Sequence, residues 1–95
     1  MKLTDIVRRG YGTAGAWHVT RNDGMYQLWH YGTLMLEWEY NSHHSTPHVV
    51  QAHVGWGSVS DQQGMNKAFN ALGLPHYFIR KDGARIEDRE GNVYV

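Results

Sequence analysis

The chain predicts an α+β fold: a twisted antiparallel sheet of five or six short strands with one main helix packed across one face. Three observations predict it. Residues 17–40 alternate apolar and polar side chains between turn signals. Residues 58–75 carry a single capped stripe of helical period, and residues 77–95 return to short β-type runs. At 95 residues the chain makes one domain, 1–95. A domain of this size buries roughly 60–65% of its unfolded surface, so its core is small.

The elements follow in order. KLTDIVRR forms one or two helical turns with Leu3, Ile6 and Val7 on one side, stopped by Gly10 and Gly12. The strands begin after Gly15, with Trp17 and Val19 in a first strand that ends at Arg21. Asn22-Asp23-Gly24 is a turn, because these residues tolerate positive φ. In MYQLWHYGTLMLEWEY, residues 25–40, Tyr26, Leu28 and His30 alternate with Gln27 and Trp29, and Tyr31-Gly32 forms a tight turn. Beyond it Leu34, Leu36, Trp38 and Tyr40 share one face and Thr33, Met35, Glu37 and Glu39 the other, by the period of two. This is a three-stranded meander with one buried face. Residues 41–48 are loop, and VVQAHV, residues 49–54, is a further strand. After the helix, Lys81-Asp82-Gly83 turns a hairpin between 77–80 and 84–87, and 93–95 closes the chain as a last strand.

The helix is specified at both ends. Ser60 with Gln63 has the spacing of a capping box, and Ser58 with Asp61 has the same spacing two residues earlier. Asp61 sits in the first turn, where negative charge meets the positive end of the helix dipole. Met65, Ala68, Phe69 and Leu72 form the apolar stripe. Gly73 is placed as a left-handed cap, and Pro75 bars continuation. Gly64 breaks the pattern, since glycine inside a helix costs roughly 0.5–1 kcal/mol relative to alanine. It lies at the edge of the stripe, which predicts close packing under a strand or under Trp56. Gln62, Asn66 and Asn70 recur at intervals of four and read as a solvated face.

Composition excludes several classes. Nine basic residues balance nine acidic ones, which argues against a strongly nucleic-acid-binding domain and against an acidic mimic of one. The absence of cysteine removes disulfide frameworks and thiolate metal sites and suits a reducing compartment. No apolar run reaches membrane-spanning length, and the N-terminus lacks the apolar core of a secretory signal.

From Trp56 to about Glu87 the sequence resembles small uncharacterised proteins of phages and other mobile elements of Gram-positive bacteria. The likeness is carried by GWGSVSDQQGMNKAFNALGLPHYFIRKDGARIE, and more weakly by YQLWHYGTLMLEW upstream, residues 26–38. It brings no catalytic residue with it. It implies an accessory protein that acts on a host component, or shields against one, in the host-cell cytoplasm.

Four constellations bear on chemistry. Amides from Gly57 to Ser60 at a helix N-terminus, with Arg80 or Arg85 closing over them, have the make-up of an anion site. Yet Gly-Trp-Gly is no dinucleotide fingerprint, no P-loop lysine follows, and Asp61 repels an anion. His43, His44, His48 and His53 have metal-ligating side chains, but no carboxylate or cysteine lies nearby to complete a set, and a solvated histidine loop without metal is the better reading. His18-Val19-Thr20 and His44-Ser45-Thr46 superficially resemble the paired triplets of the 2H phosphodiesterases, without the two lobes that family needs. Trp17, Trp29, Tyr31 and Trp56 have the faces that stack on bases.

The resemblance, the small size and the lack of a catalytic constellation imply a non-enzymatic binding protein, a phage accessory or anti-defence protein engaging a host protein. It has no catalytic residue, metal or cofactor, and no membrane partner. The binding residues named by the sequence are Trp56, Gly57, Ser58, Ser60, Gly64 and Arg80. The alternative is a nucleic-acid or nucleotide-binding module that uses the helix N-terminus and the sheet aromatics.

Overall fold

The computed structural model describes residues 1–40 and 46–94. His43 and His44 of the histidine loop, and Val95 of the last predicted strand, lie outside the described residues. In chain order the elements are α1 (Leu3–Arg9), β1 (Gly12–Ala14), β2 (Trp17–Asn22), β3 (Met25–His30), β4 (Thr33–Glu39), β5 (His48–Ala52), α2 (Val59–Ala71), β6 (His76–Ile79), β7 (Arg85–Asp88) and β8 (Val93–Tyr94). The fold is α+β, with α2 packed across one face of an antiparallel sheet ordered β1-β2-β3-β4-β5. The predicted meander is its centre. The residues after the helix make a separate antiparallel sheet, β6-β7-β8, instead of extending the first. Gly12–Ala14, read as connection, pairs with Trp17–Val19 as an edge strand, so the sheet begins before Gly15.

Strand alternation holds on β3, where Leu28 and His30 are buried and Gln27 and Trp29 are half-exposed. On β4 it fails at one place. Leu28 faces Leu36 and Trp29 faces Leu34, so the register skips Met35. This bulge puts Met35 and Leu36 side by side in the core, both 0% exposed, and moves Leu34 to the outer face opposite Trp29. The expected grouping of Leu34 with Leu36, and of Met35 with Glu37, is thereby corrected. The carbonyl of Met35 accepts the His53 N–H at 2.8 Å, tying the bulge to the chain leaving β5. A second skip, at Val50, leaves that side chain exposed on β5.

Helix α2 begins at Val59, and its N-cap lies two residues before Ser60. Ser58 is the N-cap: its Oγ accepts the Asp61 N–H at 3.1 Å, and Asp61 returns a bond to the Ser58 N–H. At the other end Gly73 is left-handed at φ 69°. Its N–H reaches the Asn70 carbonyl and that of Leu74 reaches Phe69, which is a complete Schellman closure. Met65, Ala68, Phe69 and Leu72 are buried as the stripe requires.

The polar stripe has a different role from the one the spacing suggests. Asn66 accepts the Phe78 N–H at 2.8 Å and donates to the Phe78 carbonyl at 3.2 Å, and Gln62 donates to the same carbonyl at 3.3 Å. These carboxamides take the place of a neighbouring strand along the edge of β6. Only Asn70 of the three is left exposed.

One core cluster joins α1, the two sheets and α2. Gly64 is buried against Trp17 of β2: a Cβ placed there would lie 2.0 Å from Cζ2 of the indole. The close approach is by a strand, as the sequence predicts, and not by Trp56, which is 86% exposed. Gly64→Ala therefore destabilises the protein although alanine is the better helix former. The overpacking cost is roughly 1–3 kcal/mol or more, and urea unfolding of the variant measures it.

Candidate functional site

Asp61 is 1% exposed and His30, on the end of β3, is 5% exposed. Asp61 Oδ1 lies 2.6 Å from His30 Nδ1. The other carboxylate oxygen, Oδ2, accepts the N–H groups of Trp56 at 3.1 Å and Ser58 at 3.2 Å. One side chain thus joins the sheet, the loop before α2 and the first turn of the helix. Burial by itself raises the Asp61 carboxyl, but the His30 hydrogen bond, the Ser58 backbone and hydroxyl bonds and the His30 charge together hold it below its ordinary value.

His30 is also the middle of a stack that runs from the helix to the surface. Its ring lies 3.9 Å from that of Trp17 at 8°, and Trp17 rests on Gly64. On the outer side the Tyr31 ring packs against His30 at 4.6 Å. Tyr31 is 77% exposed and occupies the first position of a two-residue turn with φ 50°, followed by Gly32 at φ 76°. A bulky side chain in the left-handed region is an outlier that the turn must hold in place, at a cost on the order of 1 kcal/mol or more.

Trp56 stands on the adjoining loop. It lies between Gly55 at φ 60° and Gly57 at φ 68°, conformations that only glycine takes without strain. Gly55 packs so tightly on the bulged Met35 that a Cβ would meet its sulfur at 2.7 Å. The Gly57 N–H closes onto the Val54 carbonyl, and the Gly57 carbonyl accepts from Arg80 Nε at 2.8 Å. The loop backbone is fixed on every side while the indole itself projects outward. Val59, the first residue of α2, adds an apolar side chain that is 49% exposed.

Of the residues named from the sequence, Trp56, Gly57, Ser58, Ser60 and Arg80 do come together around the start of α2. Ser58 Oγ is engaged with the Asp61 N–H and with Ser60 Oγ at 3.1 Å. The Trp56 and Ser58 amides are given to Asp61, so they point into the protein and not at a ligand. Arg80 closes on the Gly57 carbonyl, whereas Arg85 turns back to the Lys81 and Gly83 carbonyls and to Glu87. Gly64 lies inside, under Trp17. Sequence reasoning missed His30 and the role of Asp61, and it placed Tyr31 only among the aromatics with faces for base stacking. The signal for Tyr31 was present, since tyrosine in a two-residue turn is a local conflict.

Among the described residues, no group of three or more His, Cys, Asp or Glu side chains is placed to hold a metal ion, and no helix is long and apolar enough to cross a membrane. His48 and His53 fall on and just after β5, and His53 Nε2 lies 2.7 Å from Gln51 Oε1. His18 of the first His-x-Thr triplet faces outward on β2, and His44 and Ser45 of the second lie outside the described residues. Trp17 is buried, and Trp29 remains on the outer sheet face. Comparison with protein-family models, with curated proteins and with solved structures finds no match to this chain.

Two outcomes follow from this geometry. Ser58→Ala loses the N-cap and costs roughly 0.5–2 kcal/mol, while Ser60→Ala leaves the midpoint of urea unfolding nearly unchanged. Because the folded Asp61 carboxyl is depressed, its stabilisation is complete above the unfolded value of roughly 3.9. It is lost as pH falls through the lower folded value. Asp61→Asn lowers stability at neutral pH by roughly 3 kcal/mol or more and flattens this acid limb, as urea unfolding between neutral and acidic pH will show.

Proposed function

We propose that the protein is a non-enzymatic binding module that engages a partner protein through Trp56, Tyr31 and Val59. The observation that carries this reading is the contrast between backbone and side chain. Trp56 and Tyr31 are 86% and 77% exposed, yet both stand on turns anchored to the buried Asp61–His30 pair. Large aromatics carried on a fixed backbone suit the anchors of protein interfaces, because the turn that presents them has little backbone freedom left to lose on binding. Arg80, fixed by its Nε on the Gly57 carbonyl, adds a cation at the rim.

The resemblance to phage and mobile-element proteins sets the biological frame of the proposal: an accessory or anti-defence protein whose partner is a host protein. Nucleic-acid binding through the helix N-terminus has less support, since within Gly57–Ser60 the Ser58 amide is spent on Asp61 and the Gly57 amide on the Val54 carbonyl.

Affinity capture from a Gram-positive host lysate, followed by reconstitution with the captured protein, tests the proposal. Trp56→Ala and Tyr31→Ala should each weaken binding at least about tenfold without lowering the melting temperature. Retained affinity in both variants would move the interface elsewhere.

A further inference from the structure

The five-stranded sheet has a second face, which none of the preceding features uses. Both helices pack on the inner side, with Trp17, Val19, Leu28, Leu36 and Trp38. The outer side carries a continuous polar row across four strands. The Trp29 indole N–H donates to Thr20 Oγ1 at 2.9 Å, and Thr20 Oγ1 donates to Gln27 Oε1 at 3.0 Å. Gln27 Nε2 and Gln51 Nε2 then donate to the two oxygens of Glu37 at 3.0 and 2.8 Å. Those two bonds, Gln27 first, hold the Glu37 carboxyl below its ordinary value against a smaller effect of burial. His53 joins the far end through Gln51. From β2 to β5 the row spans three inter-strand steps, roughly 14 Å.

We propose that this outer face is a binding site for an uncharged oligosaccharide. Trp29 supplies the platform: its N–H is pinned on Thr20, and its ring lies nearly parallel to that of His18, at 9°. A fixed aromatic face beside hydrogen-bonding groups suits a sugar ring, which offers C–H groups on one side and hydroxyls at its edge. The row has the valences to receive those hydroxyls. Among the described residues, Gln27 and Gln51 each keep one amide N–H, and the Glu37 carboxylate keeps acceptor positions beyond the two it uses. Hydroxyls both donate and accept, so they match both kinds of group.

Charge selects the ligand class. Strands β3, β4 and β5 contain no lysine or arginine, and the arginine of β2, Arg21, leans on Tyr26. Glu37 and Glu39 are the acidic residues on this face of β4. A phosphate backbone would be repelled, and a neutral glycan would not.

The test is an amide and indole NMR titration of the full chain with cellohexaose, chitohexaose, maltohexaose and laminarihexaose, the Trp29 indole signal being identified with Trp29→Phe. Saturable shifts of the Trp29 indole and of the Gln27 and Gln51 side-chain amides with at least one of these sugars are expected. Trp29→Ala should weaken that binding at least about tenfold, and Trp56→Ala should leave it unchanged. Gln51→Ala, at the opposite end of the row, carries the same test if Trp29→Ala fails to fold. Absence of shifts with all four sugars, or shifts with oligothymidylate alone, would overturn the proposal.

Discussion

A single buried carboxylate organises this molecule. Asp61 meets an imidazole from the sheet with one oxygen and two loop amides with the other. Each of those donors would be costly to bury alone, and each gains a charge-assisted partner. The geometry of α2 on the sheet and the path of the chain from β5 into the helix are therefore one problem with one solution. The exposed aromatics inherit their positions from it, because Tyr31 leans on His30 and the Trp56 amide is held by Asp61.

Helix α2 also serves as the wall between the two sheets, and it meets them by different chemistry. Toward the large sheet it offers a missing side chain, Gly64, into which the Trp17 ring descends. Toward the small sheet it offers the carboxamides of Asn66 and Gln62, which satisfy both backbone groups of Phe78. Close packing needs absence of atoms on one side, and edge pairing needs donors and acceptors on the other. The helix divides these needs between faces of its own surface.

Much of this was legible in the sequence. The meander followed from alternation and turn residues, the helix from its stripe and terminal glycine, and the close approach at Gly64 from its conflict with helix propensity. What stayed hidden has physical causes. A period-of-two reading assumes constant register, so the skip at Met35 reversed the expected faces of Leu34 and Met35. An aspartate in a first helical turn reads as a surface dipole partner, and nothing local says that an imidazole thirty-one residues earlier will bury it. Asn66 looked solvated because its partner is backbone, which carries no sequence signature. Of the candidate site, the Trp56–Arg80 cluster was visible in the chain, while Tyr31 and His30 join it only through the tertiary fold.

The carboxamides on Phe78 have a consequence for solubility. An exposed strand edge is a template on which other chains can extend a sheet. With Asn66 bonded to both backbone groups of Phe78, the β6 side of the small sheet offers no such template at its centre. Among the described residues the opposite border, β8, runs from Val93 to Tyr94. The small sheet is therefore guarded at its β6 border against fibrillar growth, by side-chain amides that stand where an incoming strand would pair.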